Sequence, residues 1–133
     1  MIKIRTWDPD EDFGMICAWG LEIGNAMTEK EIYPPTTYIA EYNGIPILSC
    51  SLLLMNAPGC AKIENLVGNP AFKDERKEAL PMMFRHIEEI AKAWGYKHLV
   101  LFSYIEKLSE KYEMLGYRKT LSGVSTFHKR IGE

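Results

Sequence analysis

The sequence predicts a mixed α/β fold: a central mixed β-sheet flanked by helices, in the order β-α-α-β-β-β-α-β-α-β-β. Three observations lead there. Asn43-Gly44 lies between two runs rich in β-branched and aromatic residues, and both central residues of a type I′ turn need positive φ, so 36–42 and 45–55 read as a hairpin. A long amphipathic segment ending at Gly95 leads directly into the apolar run 97–103, the pattern of a crossover helix followed by a strand buried on both faces. A shorter amphipathic segment, 106–115, closes on Gly116, and 117–121 and 125–131 follow as two strands around Ser122-Gly123.

The remaining elements fall between these. Ile2 and Ile4 alternate with Lys3 and Arg5, which reads as a strand with one buried face. Asp8-Pro9-Asp10 ends it, and either aspartate can cap the helix that follows; Glu11 and Asp12 suit its positive N-terminal end. That helix presents Phe13, Ile16, Cys17, then Gly20 or Leu21, at close to 3.6-residue spacing, and Gly24-Asn25 stops it. Residues 26–33 read as a short second helix, ended by Pro34-Pro35 because a proline disfavours helical geometry in the residue before it. The turn 56–59 leads to a strand over 60–67, broken by Gly68-Asn69-Pro70. The major helix covers about 74–94, with an apolar stripe through Ala79 or Leu80, Met83 or Phe84, Ile87, Ile90 or Ala91, and Trp94.

Composition bounds the function. A chain of 133 residues forms one domain, 1–133, and buries a core without staples. A net charge of −2 gives no general reason to bind nucleic acid or an anionic membrane. No apolar run approaches the ~20 residues that span a bilayer, and 1–7 alternate rather than form a signal-peptide core. A cytoplasmic protein is expected. The three cysteines, Cys17, Cys50 and Cys60, show no CxxC spacing and read as small buried side chains; the three histidines are widely spaced, so no metal site is expected.

The element order, together with four local stretches, resembles the GNAT (GCN5-related) N-acetyltransferase family over the whole chain. The hairpin from Thr37 to Leu48 is similar to the family's second and third strands, and Ile63-Glu64-Asn65-Leu66-Val67-Gly68-Asn69-Pro70 to its fourth. The stretch from Ala91 to Leu101 resembles the end of the third helix and the fifth strand. Tyr112-Glu113-Met114-Leu115-Gly116-Tyr117 is the most specific match: a tyrosine, two variable residues, an apolar residue, glycine and an aromatic. Compactness and an altered cofactor loop also resemble short GNAT-like proteins encoded by phages.

The resemblance implies transfer of an acetyl group from acetyl-CoA directly to a primary amine, with no metal. Backbone N–H groups at Leu66 and Val67 would polarise the thioester where the fourth strand splays from its neighbour, and Gly68 would tolerate an irregular backbone there. Glu64 is the expected base and Tyr112 the expected acid for the leaving thiolate. Strict alternation puts Glu64 and Leu66 on one face, Asn65 and Val67 on the other. Cys60 and Ser103 need no catalytic role.

One segment departs from the family. Its pyrophosphate loop reads Gln or Arg, two variable residues, Gly, one variable residue, then Gly or Ala. Here Arg76-Lys77-Glu78-Ala79-Leu80-Pro81 sets Ala79 and Pro81 in place of the glycines, while counting back from Gly95 sets Glu78 and Leu80 there instead. Pro81 lacks an N–H but suits a first helical turn; Glu78 would bring a carboxylate to a diphosphate. Side chains of Lys73, Arg76 and Lys77 are the compensating phosphate ligands. The family's asparagine after the fifth strand has no equivalent near Ile105. Two functions follow: an active N-acetyltransferase for a small-molecule or peptide amine, or a catalytically inactive GNAT-fold binding or regulatory protein. Oligomeric state is open, a homodimer through an exposed strand being one arrangement the resemblance allows.

Overall fold

The computed structural model describes residues 1–22, 29–102, 106–120 and 129–131. Strand β1 (Ile2–Thr6) leads to helix α1 (Pro9–Glu22), a 3-10 turn at Lys30–Ile32, and strands β2 (Thr37–Tyr42), β3 (Ile45–Leu54) and β4 (Cys60–Gly68). A second 3-10 turn at Pro70–Phe72 runs into helix α2 (Lys73–Ala93), followed by strand β5 (His98–Val100) and helix α3 (Glu106–Met114). The strands form one mixed sheet in sequential order, antiparallel from β1 to β4, with β5 parallel to β4.

The punctuation follows the chemistry of the turn residues. Asn43 (φ 48°) and Gly44 (φ 83°) make the type I′ hairpin. Asp8 caps α1, its carboxylate accepting from the Asp10 N–H at 3.0 Å, with Pro9 in the first helical position where no donor is missed. At the end of α2, Gly95 takes φ 90° while its N–H donates to the Lys92 carbonyl and that of Tyr96 to the Ala91 carbonyl, each at 3.0 Å: a Schellman motif.

Helices cover both faces of the sheet. On one, Ile16 and Trp19 of α1 pack with Trp7, Tyr33, Ile39 and Val67. On the other, α2 buries Ala79, Leu80, Met83, Phe84, Ile87 and Ala91, and His86 meets Tyr38 of β2 edge-on at 4.8 Å. Burial lowers the His86 pKa and raises that of Tyr38. Arg5 ties β1 to both neighbours, donating to Asp12 of α1 at 2.7 and 3.0 Å and to Glu41 of β2 at 3.1 Å. Asp12 is thus a buried partner of Arg5 and of the Asp8 N–H rather than a solvated first-turn charge.

Several expectations change. The short helix over 26–33 is a 3-10 turn at Lys30–Ile32, and 23–28 lie outside the described residues. Of Gly20 and Leu21, Gly20 is the buried one and Leu21 is exposed, and Trp19 joins the core beside Trp7 and Tyr33. Strand β5 is three residues long and Val100 is 40% exposed, so this strand is not buried on both faces. Pro81 sits inside α2, more than two turns from its start, not in the first turn. Of the two final strands expected at 117–121 and 125–131, positions 121–128 lie outside the described residues, and 117–120 and 129–131 carry no regular structure. Contacts divide the chain into two compact units, Met1–Phe102 and Ser103–Glu133.

Candidate active site

The site begins with a bulge. Ser51 pairs with Glu64, but Ser49 pairs with Val67, so β4 advances three residues where β3 advances two. The extra residue is accommodated by Asn65 at φ 57°, a left-handed conformation that asparagine adopts more readily than other non-glycine residues. Its side-chain amide donates to Ser51 Oγ at 3.3 Å, and that hydroxyl lies 2.8 Å from Thr37 Oγ1. Thr37 and Ser51 are fully buried, so the bulge is fastened to β2 and β3 by hydroxyls that water does not reach. The alternation expected for β4 is broken here. Glu64 and Val67 share the face toward α1, because one inserted residue reverses the parity of every residue after it.

Beyond the bulge, β4 parts from β5. Pairing covers Cys60 with His98, Ala61 with Leu99 and Lys62 with Val100, while β4 stays paired with β3 as far as Gly68. From Ile63 to Gly68 the other edge of β4 has no strand partner among the described residues. Leu66 and Val67 lie on this opened stretch; the Val67 side chain is buried in the α1-side core. Glu64 stands where the opening starts. Its side chain is 27% exposed and its carboxylate pairs with Lys62 Nζ at 2.5 Å, and that ammonium lies 4.7 Å from the centroid of the Phe102 ring.

At the far end of the opened edge is Arg76, in the first turn of α2. A Cβ built on Gly68 would come 2.4 Å from Arg76 Cδ and 2.6 Å from Nη1, so the guanidinium crosses the end of β4 in space that only glycine leaves. The expected role of Gly68 changes accordingly: its φ is not positive, and what matters is the missing side chain. Arg76 Nε is buried, with no hydrogen-bond partner among the described residues. An unsatisfied cationic donor beside a helix N-terminus fits an anion such as a cofactor diphosphate.

The other residues of this segment differ in placement. Lys73 and Lys77 are exposed near the start of α2, Lys77 4.0 Å from Asp74, and Glu78 is exposed beside them. Ala79 and Leu80 are buried in the face of α2 that meets the sheet. Neither pair of glycine stand-ins therefore lies at the helix N-terminus, because the helix starts earlier than the loop pattern implies. The 3-10 turn before it is capped by Asn69, whose side-chain oxygen accepts the Ala71 N–H at 3.1 Å.

In the second unit, Tyr112 is buried in α3. Its carbonyl accepts the N–H of Leu115 and of Tyr117, both at 3.0 Å, across Gly116 at φ 95°. The motif Tyr112 to Tyr117 is thus a Schellman cap, and its spacing places the tyrosine at the first residue the cap closes on.

Sequence reasoning missed Lys62, Asn65 as a bulge and the Gly68–Arg76 contact. Two of these left a signal. Lys62 and Glu64 are two apart on a strand and so share a face, and an asparagine, a residue depleted in strands, is a bulge candidate inside one. The third depends on a contact between elements, which no local pattern records. Cys50 is fully buried with its pKa pushed up to about 12, so it stays a thiol, and Cys60 is a free thiol; Ser103 lies outside the described residues.

No protein-family model matches the chain. No curated protein sequence matches it either. Solved structures do. A GCN5-related N-acetyltransferase from Ralstonia eutropha JMP134 is 20% identical with a TM-score of 0.71, over 96% of this chain and 99% of that one. Glucosamine-6-phosphate N-acetyltransferase from Arabidopsis thaliana is 16% identical with a TM-score of 0.69, over 97% and 99%. N-acetylglutamate synthase from Neisseria gonorrhoeae, complexed with coenzyme A and N-acetyl-glutamate, is 19% identical with a TM-score of 0.66; 85% of this chain matches 28% of that longer one. Strand order, the parting of β4 from β5 and these likenesses together give the chain the fold of the GCN5-related N-acetyltransferases.

Proposed function

We propose that the chain, 1–133 working as a single domain, is an N-acetyltransferase that moves the acetyl group of acetyl-CoA directly to a primary amine. The observation that carries this reading is the opened edge of β4 between Ile63 and Gly68, with the Arg76 guanidinium at its end. An extended pantetheine arm can pair with an unpartnered strand edge as another strand would. Arg76 then holds the diphosphate, its buried Nε supplying a donor that no other described residue takes, with Lys73 and Lys77 nearby as exposed cations. Bound acetyl-CoA supplies the activated acyl group. The N–H groups near Leu66 and Val67 polarise its carbonyl, Glu64 takes a proton from the acceptor ammonium, and Tyr112 returns one to the leaving thiolate. The acceptor is a small-molecule or peptide amine. A homodimer and a cytoplasmic location belong to the same proposal; among the described residues no helix is long and apolar enough to cross a membrane.

One observation favours a second reading, a GNAT-fold binding or regulatory protein without turnover. Asn69 already caps the turn before α2, and that segment offers no glycine-rich nest to a diphosphate. Calorimetric titration with acetyl-CoA separates the readings. Binding with turnover of added amines supports the enzyme, whereas binding without turnover, or no binding at millimolar cofactor, supports the second reading. Arg76→Gln should weaken acetyl-CoA by roughly 10- to 100-fold, the worth of hydrogen bonds to a charged group, and leave S-acetyl-pantetheine, which lacks the diphosphate, unaffected. Tyr112→Phe should lower turnover with cofactor affinity retained, and Glu64→Gln should move the pH–rate profile. Unaltered profiles would remove those roles.

A further inference from the structure

We propose that Lys62 is acetylated by the protein itself, making this β4 lysine an internal acceptor of the acetyl group. The proposal rests on the acetyltransferase reading above and adds a modification site to it. An acceptor amine must meet two conditions: contact with the carboxylate that deprotonates it, and a position where β4 parts from β5. Lys62 meets both. It lies two residues before Glu64 on the same face, with Leu53 and Ser51 as their respective partners on β3. Its Nζ is 2.5 Å from Glu64 Oε2, and it stands over Phe102, two residues beyond the end of β5. Lys62 is also the last β4 residue paired with β5, so the ammonium is held where the two strands part.

Other lysine ion pairs among the described residues are of a different kind. Lys30 pairs with Asp10 and Lys77 with Asp74, and those carboxylates are 90% and 92% exposed, whereas the side chains of Lys62 and Glu64 are 23% and 27% exposed. A partly dehydrated ammonium already in contact with a base needs little reorganisation to react, which is the advantage of a tethered reactant. In the reaction, a C–N bond forms between Lys62 Nζ and the acetyl carbonyl carbon, and the C–S bond of acetyl-CoA breaks. The ammonium loses two protons: one ends on the coenzyme A thiolate and the other leaves to solvent by way of Glu64. The acetylated side chain is neutral, so its ion pair with Glu64 is lost.

The test is intact-mass and peptide mass spectrometry of the purified protein after incubation with acetyl-CoA, with acetyl-CoA binding followed in parallel by calorimetry. The expected result is one added acetyl group, on Lys62, at a rate independent of protein concentration. It should exceed that at Lys30 and Lys77 by roughly a hundredfold, the scale of a positioned general base. Glu64→Gln should abolish that excess with cofactor binding retained, and Lys62→Arg, which keeps a cation beside Glu64, should abolish the mass shift. Modification of Lys62 no faster than of the surface lysines, or equally fast in Glu64→Gln, overturns the proposal. If acetyl-CoA binds and an added amine is acetylated while Lys62 is not, self-acetylation alone falls. If acetyl-CoA does not bind, the acetyltransferase reading falls and this proposal with it.

Discussion

Gly68 and Arg76 illustrate how one residue sets the properties of another. The guanidinium occupies the space a Cβ at position 68 would fill, so Gly68→Ala forces Arg76 off the end of β4. All the atoms in the way belong to the outer part of a flexible side chain, which can swing aside at little cost, and the side chain that moves is the proposed diphosphate ligand. Gly68→Ala is therefore expected to lower acetyl-CoA affinity, measured by calorimetry, with little change in the melting temperature. Coupling with Arg76→Gln tells whether both losses pass through one contact: in the double variant the affinity losses should fall well short of additive. Additive losses would mean that Gly68 acts elsewhere.

The bulge belongs to the scale of the element. Asn65 holds φ 57°, and its amide is fastened through Ser51 to Thr37. Glycine tolerates that conformation and valine does not, so Asn65→Val should destabilise the protein by about 1–3 kcal/mol more than Asn65→Gly, measured from denaturant midpoints. Equal midpoints would argue against a left-handed residue in β4. Legibility also divides by element. The hairpin at Asn43-Gly44 and the glycine caps at Gly95 and Gly116 were readable because each depends on local backbone conformation, and each has positive φ. The start of α2 was read to within a residue, and it was the register of the family's loop pattern that set Pro81 in a first turn; buried contacts from Ala79 to Ala91 carry the helix past the proline. The length of β5 was overestimated because an apolar run does not say where its neighbour diverges.

Across the first unit, Arg5 joins β1, α1 and β2 through Asp12 and Glu41. The hydrogen bonds from Arg5 hold the Asp12 carboxyl below the usual aspartate range despite its burial. A carboxyl with a depressed folded-state pKa contributes stability above the unfolded value, near pH 4, and that contribution is lost as the pH falls through the folded value. The melting temperature should therefore drop on acidification below about pH 4, and Asp12→Asn should flatten that drop while lowering stability at neutral pH. An unchanged acid profile in the variant would place the titrating group elsewhere.

By itself, the sequence determined the order of elements from β1 to α3 apart from the short second helix, the turn and cap positions and the family resemblance, because these depend on local conformational preference and on hydrophobic period. The identities of Glu64, Arg76 and Tyr112 as candidates came from the same source. Only the tertiary structure decided which residues face one another. It reversed the parity of β4 at Asn65, brought Arg76 over Gly68 and set Lys62 against Glu64. Those outcomes depend on pairing register and on contacts between elements, and a one-residue bulge is enough to change them.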